Sequence, residues 1–205
     1  MLGNSLYNKT NTIKAEKCIR VPVSEEQRKE IITRIGHTTY NSLVPDKLVL
    51  SGSLLLDILD GTTYASDIDI FGAPDNCLEL ACKLKLEGAK VEIDNDIVGY
   101  VHKTKRYLVN TEPLKTDIIV CEEGPVSKVI NDFDISRLRV YFDGFHIVRH
   151  FDWKEDKKKT MISHRAHDIH RLLIMDKGDR IIQRLIKYKQ RGYSFVDLDN
   201  KDIII

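Results

Sequence analysis

The chain has 205 residues, enough for one sizeable core or for one domain with a helical appendage. Hydrophobic residues at 42% and charged residues at 31% give a globular balance and exclude a disordered chain, while a formal net charge of +1 singles out no class of partner. No apolar run approaches the roughly 20 residues of a membrane span, and the opening MLGNSLYNKTNTIKAEK lacks the apolar core of a secretory signal.

Cys18, Cys77, Cys82 and Cys121 are scattered without a CxxC pair, so free thiols in a reducing, cytoplasmic compartment are expected. The residues to about Glu16 are polar and expected to be loose. Cys18 to Val23 is a short apolar stretch leading into Ser24-Glu25-Glu26-Gln27, a capping-box pattern. Ile31, Ile32 and Ile35 supply an apolar face, which predicts a helix from Glu25 to about Asn41. Lys47 to Leu50 reads as a buried strand ending at Ser51-Gly52-Ser53, and Leu54 to Leu59 as a short helix turned by Asp60-Gly61. Asp67 to Phe71 alternates acid with apolar residue, the period of a strand.

Asn76 to Glu87 fits a helix stopped by Gly88. Strands are expected around Val91, around Tyr107 to Val109, and over Thr116 to Val120. Arg137 to Phe142 and Phe145 to His150 flank Asp143-Gly144, a strong hairpin signal. From about Ile162 to Tyr188 the pattern is helical, with a break near Asp176-Lys177-Gly178. Strands and helices interleave without a regular βαβ rhythm, so the expected class is α+β, a mixed β-sheet with flanking helices. The expected division is a core over 1–150 and a basic helical extension over 151–205, packed on that core.

Chemistry concentrates in three carboxylates. Residues i and i+2 of a strand share a face, so Asp67 and Asp69 point together while Ile68 and Ile70 anchor the strand. Asp117 sits in a second apolar strand, followed by Ile118 and Ile119. Clustered carboxylates repel unless a cation lies between them, and hard divalent cations take oxygen ligands. Two such cations about 4 Å apart can activate an attacking oxygen and clamp a triphosphate. Upstream, Gly52 permits close backbone approach, Ser53 offers a hydroxyl, and the helix start offers free amides to phosphate. Taken singly, an Asp-Ile-Asp strand also fits a surface edge and a Gly-Ser pair also fits a plain helix cap.

The ordered set Gly52-Ser53, thirteen intervening residues, Asp67-Ile68-Asp69 and a later Asp117 resembles the signature of the DNA polymerase β-like nucleotidyltransferase superfamily. The likeness covers about residues 45 to 121. It implies a nucleotidyltransferase fold in which Gly52, Ser53 and Ser66 border a nucleoside triphosphate such as ATP. Asp67, Asp69 and Asp117 would hold Mg²⁺ (or Mn²⁺). The segments Asn131 to Ile135 and Tyr141 to Gly144 are also similar to a pattern in nucleotidyltransferase-like proteins of large DNA viruses.

Several other groups have bland readings. Asp132 and Asp134 are expected to pair with Arg137 or Arg139, and Asp57 and Asp60 to be solvated, with the rim of the nucleotide pocket as the alternative. His164, His167 and His170 lack a Cys or Glu at zinc spacing and read as part of a basic helix. Lys154 to Arg191 carries twelve basic against five acidic side chains, a local excess of seven. That stretch reads either as a solvated helix packed through Leu172, Leu173, Ile181, Ile182, Leu185 and Ile186, or as a nucleic-acid surface with Tyr188, Tyr193 or Phe195 for stacking.

The expected activity is transfer of a nucleoside monophosphate from an NTP to an acceptor hydroxyl, with an RNA 3′ end mildly favoured. The alternative is a non-catalytic nucleotide- or nucleic-acid-binding module on the same fold.

Overall fold

The computed structural model describes residues 18–95, 105–122, 124–151, 153, 159–162, 178–197, 199 and 201–203. The expectations that fall on His164, His167, His170, Leu172 and Leu173 lie outside them.

The chain opens with β1 (Ile19–Pro22) and α1 (Glu25–Ile35). The capping box forms in full: Ser24 Oγ accepts from the Gln27 amide, and the Gln27 side chain accepts from the Ser24 amide. The predicted helix does not run on to Asn41. Gly36 takes φ +78° and splits it, so a separate α2 spans His37–Ser42. Next come β2 (Leu48–Ser51), α3 (Gly52–Asp60), β3 (Asp67–Gly72) and α4 (Pro74–Leu86), the last started by a proline in its first turn.

After α4 the chain forms β4 (Lys90–Asp94), β5 (Arg106–Asn110), β6 (Lys115–Val120) and α5 (Val126–Asn131). A 3₁₀ turn over Ser136–Leu138 precedes β7 (Val140–Phe142) and β8 (His146–Arg149). The predicted hairpin is present, but its first arm begins only at Val140, because Arg137 belongs to the 3₁₀ turn. Asp143 Oδ1 accepts from the Phe145 and His146 amides, and Gly144 takes φ +96°, which together make the turn. The remaining described elements are β9 (Thr160–Met161), α6 (Gly178–Gln190), β10 (Phe195–Val196) and β11 (Asp202–Ile203). Ile162 is no helix start; it bridges Ile135 in antiparallel fashion beyond β9.

Eight strands form one mixed sheet in the order β1-β8-β7-β2-β3-β6-β5-β4. Its neighbours pair antiparallel except β3 and β6, which run parallel because α4 and the β4–β5 hairpin intervene. Side-chain alternation sends Ile68 and Ile70 into the larger core, with Leu50, Leu54, Leu80, Ile118 and Phe142. The opposite face holds Val49, Phe71, Ile119, Tyr141 and Val148, packed with Val126, Val129 and Ile130 of α5. Helices therefore cover both faces, as expected of an α+β chain with a mixed sheet. Ile181, Leu185, Tyr188, Tyr193 and Phe195 join the larger core, so the C-terminal elements share its burial. Among the described residues, no helix is long and apolar enough to cross a membrane.

Candidate active site

The parallel pairing of β3 with β6 sets Asp69 beside Asp117 and Ile70 beside Ile118. Asp67 shares the face of Asp69, and carboxylate oxygens from all three acids lie within 4.8 Å of one another. Phe71 and Ile119 continue that face into the smaller core, so both strands are held firmly where they deliver the acids. Had the register slipped by one residue, Asp117 would have pointed into the larger core.

Gly52 opens α3 directly over Asp69. Its φ is +80°, and a Cβ placed on it would come within 2.9 Å of the Asp69 Cβ and nearer still to the carboxylate. Glycine is thus demanded twice, by backbone conformation and by space. The neighbouring Ser51 Oγ donates to the Val140 carbonyl at 2.7 Å, which ties the end of β2 to β7. Ser53 is 4% exposed, and its hydroxyl has no hydrogen-bond partner among the described residues. An orphaned hydroxyl beside free helix-start amides is a cradle suited to a phosphate. Ser66 is exposed on the loop one residue before Asp67.

Crowding of three acids shows in their protonation. Burial, then Asp67, then Asp117 push the Asp69 carboxyl up to about 7, against the pull of Lys187 and Arg184 from α6. Asp117 is also raised, chiefly by burial, with the Arg106 guanidinium opposing. Arg106 donates to Asp117 Oδ2 at 3.0 Å and to Asp94 Oδ2 at 2.8 Å. Sequence reasoning missed Arg106 and Asp94. They face each other across β5 and β4, and no local motif announces a pairing made by sheet order. The oxygen-only donor set, the closeness of the acids and the orphaned Ser53 hydroxyl fit a divalent cation carrying a triphosphate.

Other expected positions resolve differently. Asp57 is buried, not solvated: it accepts from Thr62 Oγ1 at 2.7 Å and from the Ala65 amide at 2.5 Å, which pins the loop leading into Asp67. Asp60 is half-buried, its side chain only 7% exposed, held by Arg137 at 2.6 Å and by the Tyr193 hydroxyl at 2.6 Å. Arg137 is therefore Asp60's partner, whereas Asp134 takes Arg184 at 3.0 Å and Arg139 donates to the Phe133 carbonyl. Tyr188, Tyr193 and Phe195 are buried in the core and offer no ring to solvent. The exposed ring near this region is Tyr64, at 54% exposure, which no periodicity argument could single out. Cys18, Cys77, Cys82 and Cys121 are all free thiols.

A mixed sheet bearing three convergent carboxylates beside a glycine-serine helix start defines a nucleotidyltransferase-like fold of the α+β class. Among solved structures, the Thermotoga maritima CCA-adding enzyme complexed with tRNA superposes with a TM-score of 0.61 at 17% identity, covering 88% of this chain and 44% of that one. A tRNA-processing enzyme in an apo form matches with a TM-score of 0.49 at 18% identity, over 74% of this chain and 40% of that one. The chain thus spans less than half the length of these structures. No family model and no curated protein sequence matches.

Proposed function

We propose that the protein is a metal-dependent nucleotidyltransferase that moves a nucleoside monophosphate from an NTP to an acceptor hydroxyl, an RNA 3′ end before a protein or a small molecule. The observation that carries this reading is the convergence of carboxylate oxygens of Asp67, Asp69 and Asp117 within 4.8 Å, with a buried Ser53 hydroxyl one residue after Gly52 that has no partner among the described residues.

In this reading Asp67 and Asp69 hold Mg²⁺ or Mn²⁺ together with Asp117, and the bound cations would neutralise the triphosphate and sharpen the acceptor oxygen as a nucleophile. Gly52, Ser53 and Ser66 border the phosphates. The acceptor oxygen bonds to the α-phosphorus as the α–β bridging bond breaks, and pyrophosphate leaves. Asp117, raised by burial, takes the acceptor proton, and Arg106 orients it. The basic stretch 154–191 contributes to holding RNA. The solved structure with tRNA, matched in fold alone, supports an RNA acceptor, and four free thiols support a reducing cytoplasmic setting. The Asn131–Ile135 segment supports a place among small viral-type members. A core over 1–150 with a packed extension over 151–205 remains our domain division.

A non-catalytic nucleotide-holding module is the second reading. The ion pair between Arg106 and Asp117 favours it, since the guanidinium neutralises one acid without a metal ion.

The test is incubation with each α-labelled NTP, Mg²⁺ or Mn²⁺, and separate RNA, protein and small-molecule acceptors. Transfer by the native chain and its loss in Asp69→Ala are expected. Metal-dependent nucleotide binding without transfer would select the second reading, and neither binding nor transfer would sink both.

A further inference from the structure

We propose that Tyr64 and Arg191 form a stacking platform for the unpaired terminal base of an RNA acceptor strand, next to the carboxylate cluster. This inference rests on the nucleotidyltransferase reading for its choice of ligand, but its test does not depend on transfer.

Tyr64 lies three residues before Asp67 on the loop from α3 to β3, and its side chain is 54% exposed. A single exposed aromatic residue is ordinary on a protein surface. Three features set this one apart. First, its backbone is fixed: Asp57 accepts from Thr62 Oγ1 and the Ala65 amide on either side, and the Thr62 amide donates to the Asp57 carbonyl at 2.8 Å. A ring on a pinned loop loses little freedom when a ligand lands on it.

Second, Arg191 reaches across from the end of α6. Its Nη2 donates to the Tyr64 carbonyl at 2.7 Å, and its guanidinium lies 5.6 Å from the Tyr64 ring centre and 5.2 Å from that of Tyr188. Tyr188 is buried, so the guanidinium is held against one fixed ring and beside one open ring. An aromatic face with a neighbouring guanidinium offers base stacking, cation–π attraction and a phosphate donor in one place.

Third, the platform is close to the acids. Lys187 and Arg184 of α6 act electrostatically on Asp69, and Arg191 follows Lys187 by four residues, about one helical turn. That proximity suits a base on the strand whose end is placed among the carboxylates. Along β3 the platform lies at the Asp67 end, while Gly52 opens α3 over Asp69. Arg191 also belongs to the basic stretch 154–191 with its local excess of seven positive charges, and this assigns the platform to a strand of phosphates, the acceptor.

The experiment measures binding of a short 5′-fluorescein oligoribonucleotide to the full chain by anisotropy, in EDTA and without NTP. Tyr64→Ala and Arg191→Ala should each weaken binding about tenfold, the order expected for one stacked base. Tyr64→Phe, which keeps the ring, should bind as the native chain does. An oligonucleotide with an abasic 3′ end should bind the native chain about tenfold more weakly and be indifferent to Tyr64→Ala. Unchanged thermal midpoints for the Tyr64 variants would show that folding is intact. Equal affinity of Tyr64→Ala and native chain, an equal loss on the abasic strand, or no RNA binding by the native chain would overturn the platform. Binding with this pattern but no nucleotidyl transfer would leave the platform standing and remove the proposed activity.

Discussion

Gly52 shows most sharply how one residue constrains the site. Any side chain there must adopt φ +80° and displace the Asp69 carboxylate. Gly52→Ala should therefore cost roughly 1–3 kcal/mol of stability and abolish metal-dependent nucleotide binding, measured by urea denaturation and by nucleotide titration. The Asp69 carboxyl, pushed up to about 7, gives a second prediction. Charging it inside the metal-free fold is unfavourable, so Asp69→Asn should raise metal-free stability at pH 8, on the order of 2 kcal/mol after allowing for solvent at the site. The same variant should lose nucleotidyl transfer by at least about 100-fold. A thermal midpoint that falls in Asp69→Asn at pH 8 would contradict the electrostatic account. The Asp67 and Asp69 pair was legible from strand alternation alone. Arg106 was not, because its partners come from two other strands.

Elements meet at Asp60, the last residue of α3. Its carboxylate joins Arg137 of the 3₁₀ turn and the Tyr193 hydroxyl beyond α6, and the Arg137 guanidinium lies 3.9 Å from the Trp153 ring centre. Removing one partner of a buried ion pair strands the other charge. Asp60→Ala should consequently destabilise the chain by about 3–5 kcal/mol, read from the shift in urea midpoint. Leu185, fully buried on α6, should cost about 2–5 kcal/mol as Leu185→Ala. Neither substitution touches the carboxylate cluster, so nucleotide binding below the unfolding transition should survive both. The sequence offered Asp60 as a turn residue with a solvated acid, or as an acid at the rim of the nucleotide pocket. Burial of an acid depends on which distant arginine arrives to neutralise it, and no spacing within the chain reports that.

The whole molecule should respond to pH through the site. Between the ordinary carboxyl value near 4 and the folded value of about 7, the folded chain keeps a proton on Asp69 that the unfolded chain has released. Metal-free stability contributed by this group should thus fall as pH rises across that window and level off above it. A divalent cation binds the charged form, so stabilisation by Mg²⁺ should be larger at pH 8 than at pH 5.5. At about 100-fold excess over its dissociation constant it should approach 2.7 kcal/mol. Thermal midpoints in EDTA and in Mg²⁺ across pH 5 to 8 test both statements. Midpoint differences that are flat with pH would separate metal binding from Asp69 ionisation.

By itself the sequence determined the capping box at Ser24, the Asp143-Gly144 turn, the alternation that gathers Asp67 with Asp69, and the Gly52-Ser53 start of α3. Each is a contact between residues near in the chain, where backbone geometry fixes the neighbours. The tertiary structure alone decided that β6 runs parallel to β3 with Asp117 beside Asp69, that Arg106 holds Asp117, that Asp57 is buried, and that the Asp60 carboxylate is covered by Arg137. It also decided which aromatic rings are open: Tyr188, Tyr193 and Phe195 went into the core and Tyr64 stayed outside. These outcomes depend on strand order and on the packing of elements far apart in sequence, where burial is a property of the assembled sheet and helices and not of any segment.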